Sequence, residues 1–323
     1  MPFHEIVGRL NAGLFLTGNF SLLRYTASHR PLLFDFMRAI LLLFYLYFAL
    51  SGASFASAPL LVPIEATVLA DYQKFVAGRD INEITHYGGP GARRDVIEMV
   101  LVQQALRLGG ANLQFKFVAT DSSARSPRLL TRGELLLTFD SVWRQATRQY
   151  AADILISEPV IKRGEYFAAI ATAPDNQKVQ NARSAADFRQ LTAVSSRVFT
   201  ADWQTLAAMQ LKGLREEDDW HTMARLVSKQ WVDFMLVPLS DQHLIQNNAA
   251  GIDLTLVPGI KILLDDSRHF AVSRHHPLAG RTFAALQRGL RDMKQRGIIR
   301  QAYLDCGFFR TDADQWPVIN LTP

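Results

Sequence analysis

"SRHFAVSRHHPLAGRTFAALQRGLRDMKQRGIIRQAYLDCGFF", from Ser267 to Phe309, is the stretch that decides the fold. Its first part, "SRHFAVS", has the short apolar run of a strand, and from about Thr282 apolar residues recur at helical spacing. The sequence therefore predicts a strand followed by one long amphipathic helix. Cys306 lies at the end of that helix, where we interpret it as a small residue that fills the core.

Short apolar runs also alternate with helical patterns through the rest of the chain. In a first block, "INEITHY" (81–87) is predicted as a strand that enters a glycine-rich turn, and "DILISEPVI" (153–161) as a later strand. A polar connection then leads into a second block with the same alternation. This pattern is typical of an α/β protein, and it places two blocks of about five strands each, joined near residues 170 and 268.

The stretch from Met37 to Pro63, "MRAILLLFYLYFALSGASFASAPLLVP", has the form of an export signal. Arg38 precedes twelve apolar residues, too few to span a bilayer, and small residues follow with cleavage predicted after Ala56 or Ala58. We expect translation to start at Met37, so that residues 1–36 belong to an over-extended gene model. An uncleaved anchor, or a true leader before the signal, are the alternatives.

Composition excludes several classes of protein. The chain has 35 basic and 30 acidic residues, and without residues 1–58 the counts are 31 and 28, a net charge near +3 with no basic block. This gives no electrostatic reason to expect nucleic-acid binding. A single cysteine permits no intramolecular disulfide, and export without disulfides is compatible with a bacterial periplasm.

The order of these segments resembles the periplasmic solute-binding proteins of ABC transporters, in particular family 3, which binds amino acids and similar solutes. The resemblance is carried by the segment from Ser267 to Phe309, by "ISEPVI" (156–161), by "GEYFAAIAT" (164–172) and by "LVSKQWVDFMLVPLSD" (226–241). It implies the type II periplasmic binding fold, with two lobes, each a mixed sheet flanked by helices, joined by crossing strands. The implied ranges are 1–58 for leader and signal peptide, 59–170 plus 268–323 for lobe one, and 171–267 for lobe two.

Such a protein closes its lobes over a ligand, so ligand groups are expected on strand-end loops and at helix N-termini that face the cleft. These positions share that placement: Tyr87 and Gly88 after the first predicted strand, Ser141 and Trp143 after "ELLLTFD", and Ser196 and Asp202 before a helix of lobe two. The resemblance further implies Arg148 as the clamp for a ligand carboxylate, because a guanidinium matches a carboxylate in two parallel hydrogen bonds. The alternative for Arg148 is a solvated helix face.

One departure from the family pattern bears on the ligand. Pro238 stands where the family has an acid that pairs with the ligand ammonium. Asp241, from a different turn, is one candidate to replace that acid; the alternatives are a ligand without an α-amino group and a protein that has lost classic solute binding. Tyr87, Trp143 and Trp203 are aromatic candidates to stack on an apolar or planar part of a solute. Core packing is an equally good interpretation of each.

Catalysis has little support in the sequence. There is no GxSxG, HExxH or phosphate-binding glycine motif, and a pair of carboxylates at Asp140 and Glu158 is the only acid–base candidate. His275 and His276 lack further ligands for a metal. We therefore expect no enzyme activity, no metal and no cofactor.

The sequence predicts a monomeric periplasmic protein that binds a small polar solute, amino-acid-like or carboxylate-bearing, and delivers it to an inner-membrane permease. The alternative is an accessory or sensor protein with the same fold that signals to a membrane partner without transport. Neither interpretation involves nucleic acid.

Overall fold

A computed structural model of the chain describes residues 58–120, 126–240, 246–247 and 251–321. The predicted export signal before residue 58 and Asp241 lie outside the described residues. The helices are α1 (Ala66–Val76), α2 (Arg94–Leu108), α3 (Ser126–Thr131), α4 (Gln177–Gln180), α5 (Ala185–Phe188), α6 (Thr200–Ala208), α7 (Trp220–Ser228), α8 (Ala279–Gln295) and α9 (Ile298–Asp305). Short 3-10 turns cover Ile81–Glu83, Arg148–Tyr150 and Thr311–Ala313.

The strands are β1 (Leu60–Glu65), β2 (Phe115–Thr120), β3 (Val142–Trp143), β4 (Ile154–Ile161), β5 (Phe167–Thr172), β6 (Thr192–Ser195), β7 (Gly213–Glu216), β8 (Phe234–Pro238), β9 (Gln246–Asn247), β10 (Ile252–Asp253), β11 (Thr255–Leu256), β12 (Ile262–Leu263) and β13 (Arg268–Ser273). The α/β class predicted from the sequence is confirmed. Among the described residues, no helix has both the length and the apolar character needed to cross a bilayer.

The strands fall into two groups, which we call lobe one and lobe two. In lobe one, β1 pairs with β2 in parallel, and β13 lies between β3 and β4 in antiparallel pairing. In lobe two, a six-stranded mixed sheet has the order β11-β5-β8-β6-β7, with β12 also paired to β5. Because β6 is parallel to both β7 and β8, the carboxyl ends of these three strands meet at one edge of the sheet.

The chain crosses between the lobes where β4 leads into β5 and where β12 leads into β13. The C-terminal segment crosses again after α9, because the Asn320 side chain bonds both the amide and the carbonyl of Leu263 at 2.9 Å. Lys261 is buried and donates to the carbonyl of Ala313 at 2.8 Å. Residues 311–320 therefore fasten to lobe two, although they follow the last helix of lobe one.

Two helices of lobe one pack at backbone contact distance. A Cβ at Gly109 would lie 1.9 Å from the carbonyl oxygen of Ala285, and a Cβ at Gly289 would lie 1.8 Å from that of Ala105. Only glycine permits this approach, so α2 and α8 are fixed against each other. This packing holds α2, which carries two of the charged residues described below.

Two segments differ from the sequence prediction. "INEITHY" is not a strand: Asp80 accepts a hydrogen bond from the amide of Asn82 at 2.9 Å and starts a 3-10 turn there. The first strand is instead Leu60–Glu65, at the start of the described chain. The long C-terminal helix is two helices, because Gly297 adopts a left-handed φ of 73° between them.

Candidate functional site

A buried carboxylate, Glu98 on α2, organises the lobe-one side of the site. It accepts hydrogen bonds from Arg94 at 2.6 Å, from the amide and the hydroxyl of Ser141 at 2.7 Å each, and from the hydroxyl of Tyr303 at 2.9 Å. Arg94 and Glu98 are four residues apart on one helix, so their side chains share a face. Burial alone would raise the pKa of Glu98, but Arg94, Arg268 and the Ser141 bonds hold it below its ordinary value.

Arg268 is the second buried charge, at the first position of β13. Its Nε donates to the hydroxyl of Ser141 at 2.8 Å, and its Nη2 donates to the carbonyl oxygen of Ser141. The guanidinium lies over the ring of Trp143, 4.6 Å from the centroid, because Arg268 and Trp143 are paired in the antiparallel register. Burial and the neighbouring Arg94 lower the pKa of Arg268.

The positive charge of Arg268 opposes the rise in pKa that desolvation causes in two further carboxylates, one in each lobe. Asp140 precedes Ser141 in lobe one and keeps an accessible surface, yet the surrounding protein desolvates it and raises its pKa, while Arg94 and Arg268 act in the opposite direction. In the described residues, no hydrogen bond or ion pair engages the Asp140 carboxylate.

Asp202 lies in lobe two, in the first turn of α6. Desolvation raises the pKa of Asp202 to about 6. A hydrogen bond from its own backbone amide and the positive charge of Arg268 act in the opposite direction and lower the pKa. The candidate site therefore combines the cations Arg94 and Arg268 with the carboxylates of Glu98, Asp140 and Asp202.

The structure brings two of the predicted ligand residues together. Ser141 is fully buried and joins Glu98 to Arg268, and Trp143 lies under the Arg268 guanidinium. Asp202 lies in lobe two, at the start of α6. Ser196 is also buried at the lobe-two edge, and its hydroxyl donates to Asp218 at 2.5 Å.

Tyr87 and Gly88 have neighbours within lobe one. The Tyr87 ring is buried, its hydroxyl donates to Gln104 at 2.8 Å, and its amide donates to Asp305 at 3.0 Å. A Cβ at Gly88 would lie 2.7 Å from the carbonyl oxygen of Asp305, so the loop packs directly on the end of α9. These contacts have the form of core packing, one of the two interpretations given for Tyr87 above.

Arg148 lies in an exposed 3-10 turn. No side-chain hydrogen bond or ion pair links it to Glu98, Arg268 or Asp202 in the described part of the chain. Among the described residues, Arg268 is the buried arginine and Arg94 beside it is partly buried. The sequence reasoning singled out neither of them. The available signal was an arginine directly before the apolar part of a predicted strand.

The remaining candidates have local partners. Glu158 lies 3.4 Å from Arg291, and His275 lies 2.8 Å from Asp153. Burial raises the pKa of the Cys306 thiol to about 11, which makes it a poor nucleophile. Within the described ranges, no group of three potential ligands is placed to hold a metal ion.

No family model matches the chain, and no curated relative does. Solved structures similar to it include the probable amino-acid ABC transporter extracellular-binding protein ytmK from Bacillus subtilis, at 10% identity and TM-score 0.49 over 66% of this chain and 88% of that one. The L-cystine solute receptor of Neisseria gonorrhoeae has 16% identity and TM-score 0.43 over 77% and 93%. A substrate-binding domain of GlnP from Lactococcus lactis has 14% identity and TM-score 0.45 over 70% and 91%.

These neighbours belong to the class of binding proteins that the sequence motifs resemble. At such low similarity they say nothing of this chain's ligand. The strand topology and the three crossings described above carry the fold assignment.

Proposed function

We propose that the protein is an exported solute-binding protein that closes its two lobes over a small polar solute and delivers it to a membrane transporter in the periplasm. The observation that carries this proposal is the bonded network at the start of the return strand of lobe one, in which Arg268 donates to Ser141, Ser141 donates to Glu98, and Arg94 donates to Glu98. Closure of the lobes around a ligand would complete this arrangement, because the carboxylate of Asp202 belongs to the other lobe.

The chemistry of the cleft suits an amino-acid-like or carboxylate-bearing solute. Asp140 and Asp202 offer carboxylates to an ammonium group. Arg94 and Arg268 have guanidinium N–H groups beyond those bonded to Glu98 and Ser141, and these can donate to a carboxylate. We therefore assign to Arg94 and Arg268 the clamp role that the family resemblance gave to Arg148.

A second candidate is a periplasmic sensor or accessory protein that presents its lobes to a membrane partner. Val198 and Phe199 favour it, because they are 71% and 39% exposed directly before the helix that carries Asp202. Lobe closure at Asp202 would change the surroundings of this apolar pair, and a partner could detect that change.

Thermal unfolding with ligands tests the proposal. The full chain, expressed with its leader and refolded to strip bound solute, is melted with amino acids, polyamines, carboxylates and sugars. A ligand at about 1,000 times its dissociation constant adds about 4 kcal/mol of stability, which shifts the melting temperature by roughly 8 to 16 °C in a chain of this size. Such a shift that Asp202→Asn abolishes supports solute binding at this cleft.

If no compound in the panel shifts the melting temperature, the result contradicts solute binding and favours the sensor candidate. Capture of a membrane partner by the wild-type protein but not by a Val198→Ser, Phe199→Ser variant would then support that candidate.

A further inference from the structure

We propose that a cavity beside the crossings between the lobes is a second binding site, and that it takes a small aromatic carboxylate. This site is separate from the candidate site described above, so the proposal does not depend on the proposed function. It rests on the residues that enclose the cavity, on its volume and on the bonds of one buried lysine.

The cavity, which we call the hinge cavity, has a volume of about 140 Å³ and takes its wall from all three crossings. The first crossing contributes Phe167, the second contributes Lys261, and the C-terminal crossing contributes Asp314. Lobe one contributes the end of α9, with Leu304, and the segment after it, with Phe308. A molecule bound here would therefore contact both lobes.

The apolar part of the wall fits one aromatic ring. Phe167, Leu304, Phe308 and Phe309 all line the cavity, and aromatic rings pack well against other rings in edge-to-face or offset arrangements. An apolar cavity of about 150 Å³ in another protein holds a benzene molecule. The hinge cavity is of nearly the same volume, so it can accept a single six-membered ring.

Lys261 supplies a buried cation in the wall. It is only 5% exposed, and its ammonium donates to the carbonyls of Ala313 at 2.8 Å and Asp314 at 3.1 Å. The same ammonium lies 4.2 Å from the centroid of the Phe167 ring. An ammonium has three N–H donors, and the described residues provide acceptors for two of them. The third can donate to a ligand carboxylate in a charge-assisted hydrogen bond.

Arg300, in the first turn of α9, supplies a second cation in the wall. It is exposed, its guanidinium lies 5.7 Å from the centroid of the Phe309 ring, and no hydrogen bond or ion pair engages that guanidinium in the described part of the chain. Arg310 also lines the cavity, but it is paired with Asp312. Arg300 and the buried lysine are thus the wall cations left for a ligand.

Two acids in the same wall limit how such a ligand is held. Glu165 accepts a hydrogen bond from the amide of Lys162 at 2.9 Å, and Asp314 is exposed to solvent. Their charges offset those of the two available cations, so the wall as a whole is close to neutral. A ligand carboxylate must therefore be held by direct hydrogen bonds rather than by long-range attraction, and an amine is the alternative that the experiment has to exclude.

The hinge cavity and the candidate site are neighbours without shared residues. The Phe308 ring lies 5.0 Å from the ring of Tyr166, which lies 4.8 Å from the ring of Trp143 under the Arg268 guanidinium. No residue of the bonded network around Glu98 lines the cavity. Occupation of one site therefore leaves the other accessible to its own ligand.

A ligand-observed NMR titration of the full chain at pH 7.5 tests the proposal with four probes. Benzoate has a ring and a carboxylate, acetate has the carboxylate alone, benzyl alcohol has the ring alone, and benzylamine has the ring with the opposite charge. We expect benzoate to bind with a dissociation constant of roughly 0.1–1 mM and the other three to bind at least about tenfold more weakly.

Variants of the wall locate the binding. Leu304→Trp fills the cavity and should weaken benzoate binding at least about tenfold. Lys261→Met keeps the apolar stem without the ammonium and should have an effect of similar size. Arg300→Ala should weaken benzoate about two- to fivefold, because its side chain is exposed. The control Arg281→Ala removes an exposed guanidinium of α8, outside the wall, and should leave the affinity within about 1.5-fold.

Because Lys261 also holds the C-terminal segment, circular dichroism must first show that Lys261→Met is folded; if it is not, Leu304→Trp and Arg300→Ala carry the test. Benzylamine, benzyl alcohol or acetate binding as tightly as benzoate overturns the assignment of an aromatic carboxylate. Benzoate binding that is unchanged in Leu304→Trp and Arg300→Ala overturns the assignment of the site. The absence of benzoate binding up to about 20 mM overturns both.

Discussion

The two sides of the cleft hold their carboxylates in opposite ways. On lobe one, Glu98 is fully buried and receives four hydrogen bonds from three residues. On lobe two, Asp202 sits at the first turn of a helix with only its own amide as a donor. Lobe one thus provides a fixed framework, whereas lobe two provides a carboxylate that no other described side chain holds by a hydrogen bond.

The framework side should be the more sensitive to substitution. Glu98→Gln keeps the shape of the side chain but leaves Arg94 and Arg268 without their buried counter-charge. We expect the free energy of unfolding to fall by about 3–5 kcal/mol, as for other buried ion pairs that lose one partner. Urea unfolding monitored by circular dichroism measures this change.

Glu158→Gln is the matched control, because it removes the carboxylate of a partly exposed pair with Arg291. It should cost less than about 1 kcal/mol. If Glu98→Gln and Glu158→Gln lower the free energy of unfolding by similar amounts, Glu98 is no more important to the structure than Glu158.

The packing of α2 on α8 should be the next most sensitive feature. Gly289→Ala places a methyl group 1.8 Å from the carbonyl oxygen of Ala105, so the two helices must separate. We expect a loss of about 1–3 kcal/mol. Because α2 carries Arg94 and Glu98, ligand affinity should fall as well.

Gly280→Ala is the control on the same helix, where an added Cβ meets no atom within 4 Å. It should be neutral or stabilising by up to about 1 kcal/mol, since alanine favours a helix over glycine. A destabilised Gly280→Ala variant would show that the helix itself, rather than its packing on α2, tolerates no change.

Asp202, the carboxylate of lobe two, should affect how the free energy of unfolding depends on pH. The pKa of Asp202 is about 6 in the folded protein and 3.8 in its ordinary state, so the folded form binds the proton more tightly. Stability contributed by this proton is present below about pH 4 and is lost as the pH rises to about 6. Asp202→Asn should therefore raise the free energy of unfolding by about 1–2 kcal/mol at pH 7.5 and change it little at pH 4.

Urea unfolding of both proteins at the two pH values measures this difference in the absence of ligand. Equal effects at pH 4 and pH 7.5 would mean that Asp202 is not desolvated. The same substitution should weaken ligand binding while it stabilises the empty protein, which is the signature of a carboxylate held for a ligand.

The contrast between the lobes also explains what the sequence could predict. Local patterns were sufficient for β13 and for the position of Asp202, because a strand's apolar run and a helix start are properties of neighbouring residues. They failed at "INEITHY", where apolar residues in an extended pattern belong to a capped 3-10 turn. Leu60–Glu65 was missed because it directly follows the small-residue string of the predicted signal.

The framework of lobe one could not be found in this way. Ser141 bonds Glu98 across 43 residues and Arg268 across 127, so the network depends on strand register and on helix packing rather than on any local motif. Strand-end reasoning located Ser141 and Trp143 but not the charges that they support. The family resemblance implied that Arg148 is the carboxylate clamp, because the residues around it are similar to the family's motif.

The smallest expected effect is that of Arg148→Ala. Arg148 is exposed in its 3-10 turn and makes no described side-chain bond, so we expect unfolding free energy to change by less than about 0.5 kcal/mol and ligand affinity to remain within about twofold. Arg268→Lys is the informative counterpart: lysine keeps the charge but loses the planar fork that bonds Ser141 and lies over Trp143. Ligand titration of both variants measures the difference. If Arg148→Ala abolishes binding and Arg268→Lys does not, the clamp lies where the sequence motif placed it, and the buried network of lobe one is only structural.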